Sequence, residues 1–254
     1  RAYILGMAKE ALSNGFDVLA WNYRGCGEEL NRKAIFYHSG ATYDLDTIIQ
    51  HASAQYSEIS LVGFSLGGNL TLKYLGEKSG TISPKIKGGI AVSVPIDIAS
   101  AEKEMDKLKN RLYIELFFKT MKNKLLLKAH KFPEYNLNKD LLFKATKFKH
   151  LEKLYTVPVF GFKSPEDYWK KASSKPYLKT IVKPTLLINA KDDSFLSEKC
   201  FPFEEACKSE NFFFEITDYG GHVGFMSSFK VEENNWLEKR MERFIRENIE
   251  LELR

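Results

Sequence analysis

Apolar residues recur along this chain in two different periods, and the period changes at sharp boundaries. Ala2, Leu5, Ala8, Leu12 and Phe16 fall at helical spacing and stop at Ser13-Asn14-Gly15. Short apolar runs of strand length follow over 17–22, 59–63, 88–94, 185–190 and 212–217, bounded by turn residues. Between and after them the spacing predicts helices over 42–54, with Thr42 as N-cap, and over 66–77, 200–209 and 233–248. Strands alternating with helices imply an α/β fold, a mostly parallel sheet flanked by helices. The alternation stops between Val94 and Pro184, a stretch longer than a crossover needs, so a helical insertion over about 97–180 is expected within a single domain, 1–254. With 254 residues and 44% hydrophobic content, one sizeable core can be buried without splitting the chain.

One boundary carries chemistry. Gly63-Phe64-Ser65-Leu66-Gly67-Gly68 joins the apolar run ending at Val62 to the helical pattern of Leu66, Leu70, Leu72 and Leu75. This is the strand-to-helix context in which G-x-S-x-G forms a nucleophile elbow. The glycines let strand and helix pass close to a serine in a strained conformation that lifts its hydroxyl toward substrate.

A serine nucleophile needs a base, and the base needs a carboxylate to orient it. The run over 185–190 ends in Lys191-Asp192-Asp193, and the run over 212–217 ends in Tyr219-Gly220-Gly221-His222. His222 follows two glycines in a loop, where backbone can aim an imidazole. Of the other histidines, His51, His130 and His150 lie on polar surroundings, and His38 precedes the serine, which suits a loop-holding role better. Asp193 is favoured over Asp192 as the orienting acid, because in folds built on such an elbow the acid typically sits two or three residues past the strand end; Asp192 stays open. The order is then Ser65, Asp193, His222.

These residues lie within longer motifs: Asn22-Tyr23-Arg24-Gly25-Cys26-Gly27, Tyr37-His38-Ser39-Gly40, Gly63 through Asn69, Val159 through Trp169, Asn189-Ala190-Lys191-Asp192-Asp193 and Gly220 through Phe225. Together they resemble the YheT-like branch of the α/β-hydrolase superfamily, over residues 1 to about 245. The resemblance implies a serine esterase or lipase with Ser65, Asp193 and His222 on the triad positions, relatives that transfer acyl groups to alcohols or cleave phospholipids, and a helical cap inserted after the sixth strand. Ser194 departs from the proline usual after the second aspartate and is expected to loosen the acid turn. The resembled fold has a strand and a His-Gly type loop before the first helix, whereas this chain starts at Arg1 inside that helix. N-terminal strands are therefore expected to be missing, with half of the oxyanion hole outside the chain and the Leu66 amide supplying the other half.

Composition narrows the partners. Cys26, Cys200 and Cys207 form neither a C-x-x-C pair nor an even framework, so a disulfide scaffold or zinc site is not expected, and a reducing cytoplasm is the natural compartment. No run approaches the ~18 apolar residues of a membrane span, and no signal peptide is visible. Net charge is +5, yet residues 101–155 hold 14 Lys and Arg against 7 Asp and Glu. That stretch carries two apolar stripes, Met105, Leu108, Leu112 and Leu116 on one side and Ile114, Phe117, Phe118, Met121 and Leu125 on the other. Two stripes favour a packed cap helix over a helix lying in a membrane plane, leaving a weak membrane-surface contact open. Nucleic-acid binding is not expected, because no recognised motif accompanies the lysines.

The expected activity is cleavage of short- to medium-chain acyl esters or lipids through an acyl-enzyme, with no cofactor or metal. Phe117, Phe118, Leu125 and Phe160 are expected to line the acyl site. The competing readings are an acyltransferase, in which an alcohol replaces water, and a non-catalytic binding protein on a hydrolase scaffold.

Overall fold

Four of the apolar runs lie side by side as parallel strands: β1 (Ile59–Phe64), β2 (Ile86–Val92), β3 (Thr185–Ala190) and β4 (Phe212–Thr217), in the order β1-β2-β3-β4. A computed structural model describes residues 2–225 and 236–249 of the chain. The helices, in chain order, are α1 (Ala2–Ser13), α2 (Thr42–Ser53), α3 (Leu66–Glu77), α4 (Ile98–Met105), α5 (Arg111–Lys131), α6 (Lys139–Lys144), α7 (Phe148–Leu151), α8 (Val157–Phe160), α9 (Pro165–Ala172), α10 (Phe203–Cys207) and α11 (Trp236–Asn248). Parallel strands cannot be joined by tight turns, so the connecting helices must lie on the sheet faces, and both faces become apolar. Ile90, Val92, Leu186 and Ile188 pack toward Met7 of α1 and Met241 and Phe244 of α11. Leu61, Ala91 and Leu187 point the opposite way, toward Leu45 and Ile49 of α2 and Leu70 and Leu75 of α3. The register Val62, Ile90, Leu186, Phe213 runs straight across the sheet and aligns the strand ends where the chemistry sits.

Three expectations change, the first at Thr42: Ala41 takes the N-cap position of α2, and Thr42 begins the helix with its hydroxyl donating to Glu77 Oε2 at 2.6 Å. Residues 17–22 form no strand. They are apolar enough, but a strand exists only through ladder hydrogen bonds, and among the described residues β1 is paired along one edge only, with β2. The helix expected over 200–209 shrinks to α10, because Pro202 has no amide hydrogen to continue a helix from the preceding 3-10 turn, Glu198–Cys200. In the helix expected over 233–248, residues 233–235 lie outside the described residues and α11 begins at Trp236.

The insertion between β2 and β3 is helical, as expected, and has its own core. Ile114, Phe118 and Leu125 of α5 bury against Leu142, Leu151 and Tyr155. Lys128 is fully buried and donates from Nζ to the backbone carbonyls of Asn31 and Lys33, which ties α5 to the loop after residue 24. Glu152–Thr156 forms a π-helical turn between α7 and α8.

Asn69, fully buried on α3, joins this cap to the elbow. Its Nδ2 donates to the carbonyls of Ser39 at 3.0 Å and Ala172 at 2.9 Å, and its Oδ1 accepts from the Ser174 amide at 2.9 Å. One side chain therefore satisfies three backbone groups from two other segments. Asn69→Leu would leave those groups unpaired, at about 1–3 kcal/mol each if they stay dry. A loss of about 3 kcal/mol or more is expected, read as a lowered urea midpoint with an unchanged slope. A midpoint within error of wild type would show that water replaces the amide at no cost.

Candidate active site

The elbow forms as its glycines require. Ser65 sits between β1 and α3 with φ 52 and ψ −118, a region that L-residues rarely adopt. A Cβ on Gly63 would stand 2.3 Å from the Gly67 carbonyl oxygen, so only glycine permits this crossing. The Ser65 amide donates to the Val92 carbonyl at 2.7 Å, fixing the turn to β2. Leu66 opens α3, so its amide belongs to the first turn, where amides have no acceptor within the helix.

The ends of β3 and β4 bring the other groups to the serine. His222 Nε2 lies 2.9 Å from Ser65 Oγ, and His222 Nδ1 lies 2.8 Å from Asp193 Oδ2. Both contacts are satisfied by the tautomer that carries its proton on Nδ1, donating it to Asp193, while Nε2 accepts from the Ser65 hydroxyl. Asp193 is 3% exposed, and its Oδ1 accepts from the Phe195 amide at 2.9 Å. Asp192 points elsewhere: its Oδ1 accepts from the Gly221 amide at 2.8 Å and so braces the loop that carries His222. The structure thus brings Ser65, Asp193 and His222 into one hydrogen-bonded line and leaves Asp192 beside it.

Several supporting residues escaped sequence reasoning. Phe195 packs its ring 4.6 Å from the His222 ring, so the imidazole is held on one face. Ser93, fully buried at φ 55, receives a hydrogen bond on Oγ from the Val223 amide at 3.2 Å. Ser194 does the opposite of loosening its turn. Its hydroxyl donates to Asn110 Oδ1 at 2.6 Å and its carbonyl accepts from Asn110 Nδ2 at 2.9 Å, pinning the acid turn to the start of the cap. His38 holds a loop, with Nδ1 accepting from the Gly40 amide at 3.1 Å. Burial lowers its pKa to about 4, so it stays neutral at physiological pH.

A cavity of about 1290 Å³ runs along β1 and residues 15–23 and reaches Ser65 and His222, with Phe117 and Leu125 of the cap among its walls. Phe118 and Phe160 do not line it. Phe118 packs edge-on against Phe148 within the cap core, and Phe160 packs its ring 4.6 Å from His38.

Two carboxyls from different elements also reach this cavity: Glu102 of α4 and Glu152 of the π-helical turn, both buried, with Trp169 Nε1 donating to Glu152 Oε2 at 2.7 Å. Burial first, and then the facing carboxyl and Asp106, raise the pKa of Glu102; burial, and more weakly Glu166, raise that of Glu152. The pair keeps a proton at pH values where the unfolded carboxyls, near 4.3, have lost theirs. The native state then binds more protons than the unfolded state, so this pair makes stability fall as pH rises from about 4.5. Each pH unit with one extra native proton costs about 1.4 kcal/mol. Glu102→Gln retains a donor for Glu152 without needing that proton. Its melting temperature is expected to match wild type near pH 4 and exceed it at pH 8; equal melting at both would mean that the pair is ionised or hydrated at no cost.

The family described as alpha/beta hydrolase fold matches residues 3–228. The chain is 30% identical over 242 residues to YheT of Escherichia coli (strain K12), covering 94% of this chain and 70% of that protein. It is 28% identical over 251 residues to Phospholipase ABHD3 of Homo sapiens, covering 98% of this chain and 61% of that protein, so it spans less than two thirds of the latter's length. Among solved structures, the Pyrococcus furiosus esterase Pf2001 superposes with a TM-score of 0.59 at 18% identity, covering 98% of this chain and 77% of that one. A parallel sheet with a serine elbow and a helical insertion, matched by the family over most of its length, places the chain in the alpha/beta hydrolase fold family.

Proposed function

We propose that the protein is a serine hydrolase of carboxylic esters, with Ser65 as nucleophile, His222 as general base and acid, and Asp193 as the group that orients His222. The observation that carries this reading is the continuous line Ser65 Oγ, His222 Nε2, His222 Nδ1, Asp193 Oδ2, with contacts of 2.9 and 2.8 Å. His222 Nε2 takes the Ser65 proton as Oγ bonds to the ester carbonyl carbon, and the carbonyl electron pair moves onto oxygen. The Leu66 amide, in the first turn of α3, donates to that oxyanion. The tetrahedral adduct collapses, the C–O bond to the alcohol breaks, and His222 returns the proton to the departing oxygen. Water then repeats the sequence on the acyl-enzyme and releases the acid.

The substrate is a small ester or lipid with an aliphatic acyl chain, lodged against Phe117 and Leu125. Support comes from the relatives: YheT is named as a candidate esterase and ABHD3 as a phospholipase. Contact with a lipid surface is part of this reading. Free thiols at Cys200 and Cys207 fit a reducing, cytoplasmic setting, and among the described residues no helix is long and apolar enough to cross a membrane. A fluorophosphonate probe tests the chemistry directly: it should label wild-type protein at Ser65, and absence of labelling on folded protein would favour a binding role on the same scaffold.

A further inference from the structure

The two apolar stripes of the cap meet different fates. Ile114, Phe118 and Leu125 are buried in the cap core, whereas Leu108, Leu112 and Leu116 stand out from it at 81%, 74% and 63% exposure. Leu108 precedes α5 in the 3-10 turn Leu108–Asn110, and the three leucines follow each other at intervals of four, which puts them on one face. Leu127, 56% exposed, returns to that face eleven residues after Leu116. An apolar row this open has no role in the cap's own packing.

Its surroundings narrow what covers it. Helix α5 carries Arg111, Lys119, Lys122, Lys124, Lys128 and Lys131 against the single acid Glu115. Lys128 is buried, Lys122 and Lys124 donate to the carbonyls of Phe143 and Gly25, and Arg111 pairs with Glu115 at 2.7 Å. Lys107 pairs with Glu104 at 2.7 Å, yet the helix keeps its large excess of positive charge. By helical spacing Lys119 lies on the leucine face with Arg111 and Lys122 beside it, and leucines flanked by these cations match an interface that is apolar below and anionic above.

The helix that carries the row also reaches the active site. Tyr113, next in sequence to Leu112 and 52% exposed, packs its ring 4.8 Å from that of Phe195, which in turn packs 4.6 Å from the His222 ring. Tyr113, Phe195 and His222 all line the cavity. From these observations we infer that Leu108, Leu112, Leu116 and Leu127 form a docking face for an anionic lipid surface, which seats the cavity mouth against the layer from which ester substrate enters. The inference deepens the ester-hydrolase reading and rests on it only for what happens to the lipid once bound.

Binding can be measured without turnover. Ser65→Ala protein is sedimented with vesicles of phosphatidylcholine containing about one third phosphatidylglycerol, alone and with Leu112→Ser/Leu116→Ser added. Both leucines are exposed, so the double change is expected to leave melting, and in the Ser65 parent hydrolysis of a soluble monomeric ester, unaltered. The docking face predicts binding to the anionic vesicles that falls about tenfold in the double variant, and falls again when salt is raised from about 0.1 to 0.5 M. Equal binding with and without the leucines would overturn it, as would equal binding to pure phosphatidylcholine or none to either vesicle. A wild-type dimer by light scattering that the double variant converts to monomer would assign the row to a second copy of the chain instead. Inactivity of the Ser65 parent on soluble ester would remove the hydrolase reading and leave the vesicle result standing on its own.

Discussion

Ser65→Ala is expected to reduce ester turnover on the order of a millionfold while leaving the protein folded. The change deletes one oxygen, and its consequences follow from what that oxygen touches. Oγ lies 2.9 Å from His222 Nε2, so its loss removes the bond-forming atom and the acceptor of the acyl group together, and no other hydroxyl stands in that line. A residual rate above the uncatalysed reaction remains from binding and from the oxyanion donor, since members of a triad act as a unit and the second and third removals add little. The fold should survive because the serine's backbone is held by neighbours that the mutation does not touch: its amide bonds to the Val92 carbonyl, and its carbonyl accepts from the Asn69 amide at 3.0 Å. Alanine takes the same φ of 52 at a cost like that of serine. The measurement is initial rate on a soluble ester beside a thermal melt. Well-folded Ser65→Ala protein that hydrolyses at the wild-type rate would remove the nucleophile role from Ser65, and with it the mechanism above.

The elbow could be read from sequence because its constraint is local. A strand, a serine and a helix within a dozen residues demand glycine where backbones cross, and Gly63 shows the demand in the 2.3 Å that a Cβ would leave. Asp193 and His222 were legible for a related reason: each follows an apolar run that parallel pairing must bury, so each is delivered to the same end of the sheet. The residues that hold these groups were not legible. Ser93, Asn69, Asn110 and Phe195 act through a few contacts to residues 27 to 130 positions away, and such contacts leave no periodicity in the chain. Residues 17–22 show the opposite failure. Their composition suits a strand, but strand formation is a property of a pair, and β propensity reports only one side of it. On α5 the two stripes were visible, yet which one the cap would bury depended on where α6, α7 and the π-helical turn came to lie.

The adjacent carboxylates give the sharpest test of the site, because they differ by one position in the chain and by everything in their contacts. Asp193→Asn should cost on the order of ten-thousandfold in turnover. The carboxamide keeps the size of the side chain and the bond from the Phe195 amide, but its NH2 group can face Nδ1 of His222 and favour the tautomer with the proton on Nε2. That ring can no longer accept the Ser65 proton. Even with the other tautomer restored by an amide flip, a neutral partner does not stabilise the imidazolium formed during proton transfer. Asp192→Asn leaves an oxygen that can still accept from the Gly221 amide at the observed 2.8 Å, so the His222 loop stays braced and turnover should fall far less, within about tenfold. Side by side, the two variants on one soluble ester separate orientation of the imidazole from support of its loop. The reverse ranking would move the orienting role to Asp192 and require that the loop turn to meet it, while equal losses in both would mean that the two carboxylates act through the geometry of the turn and not through the charge on Asp193.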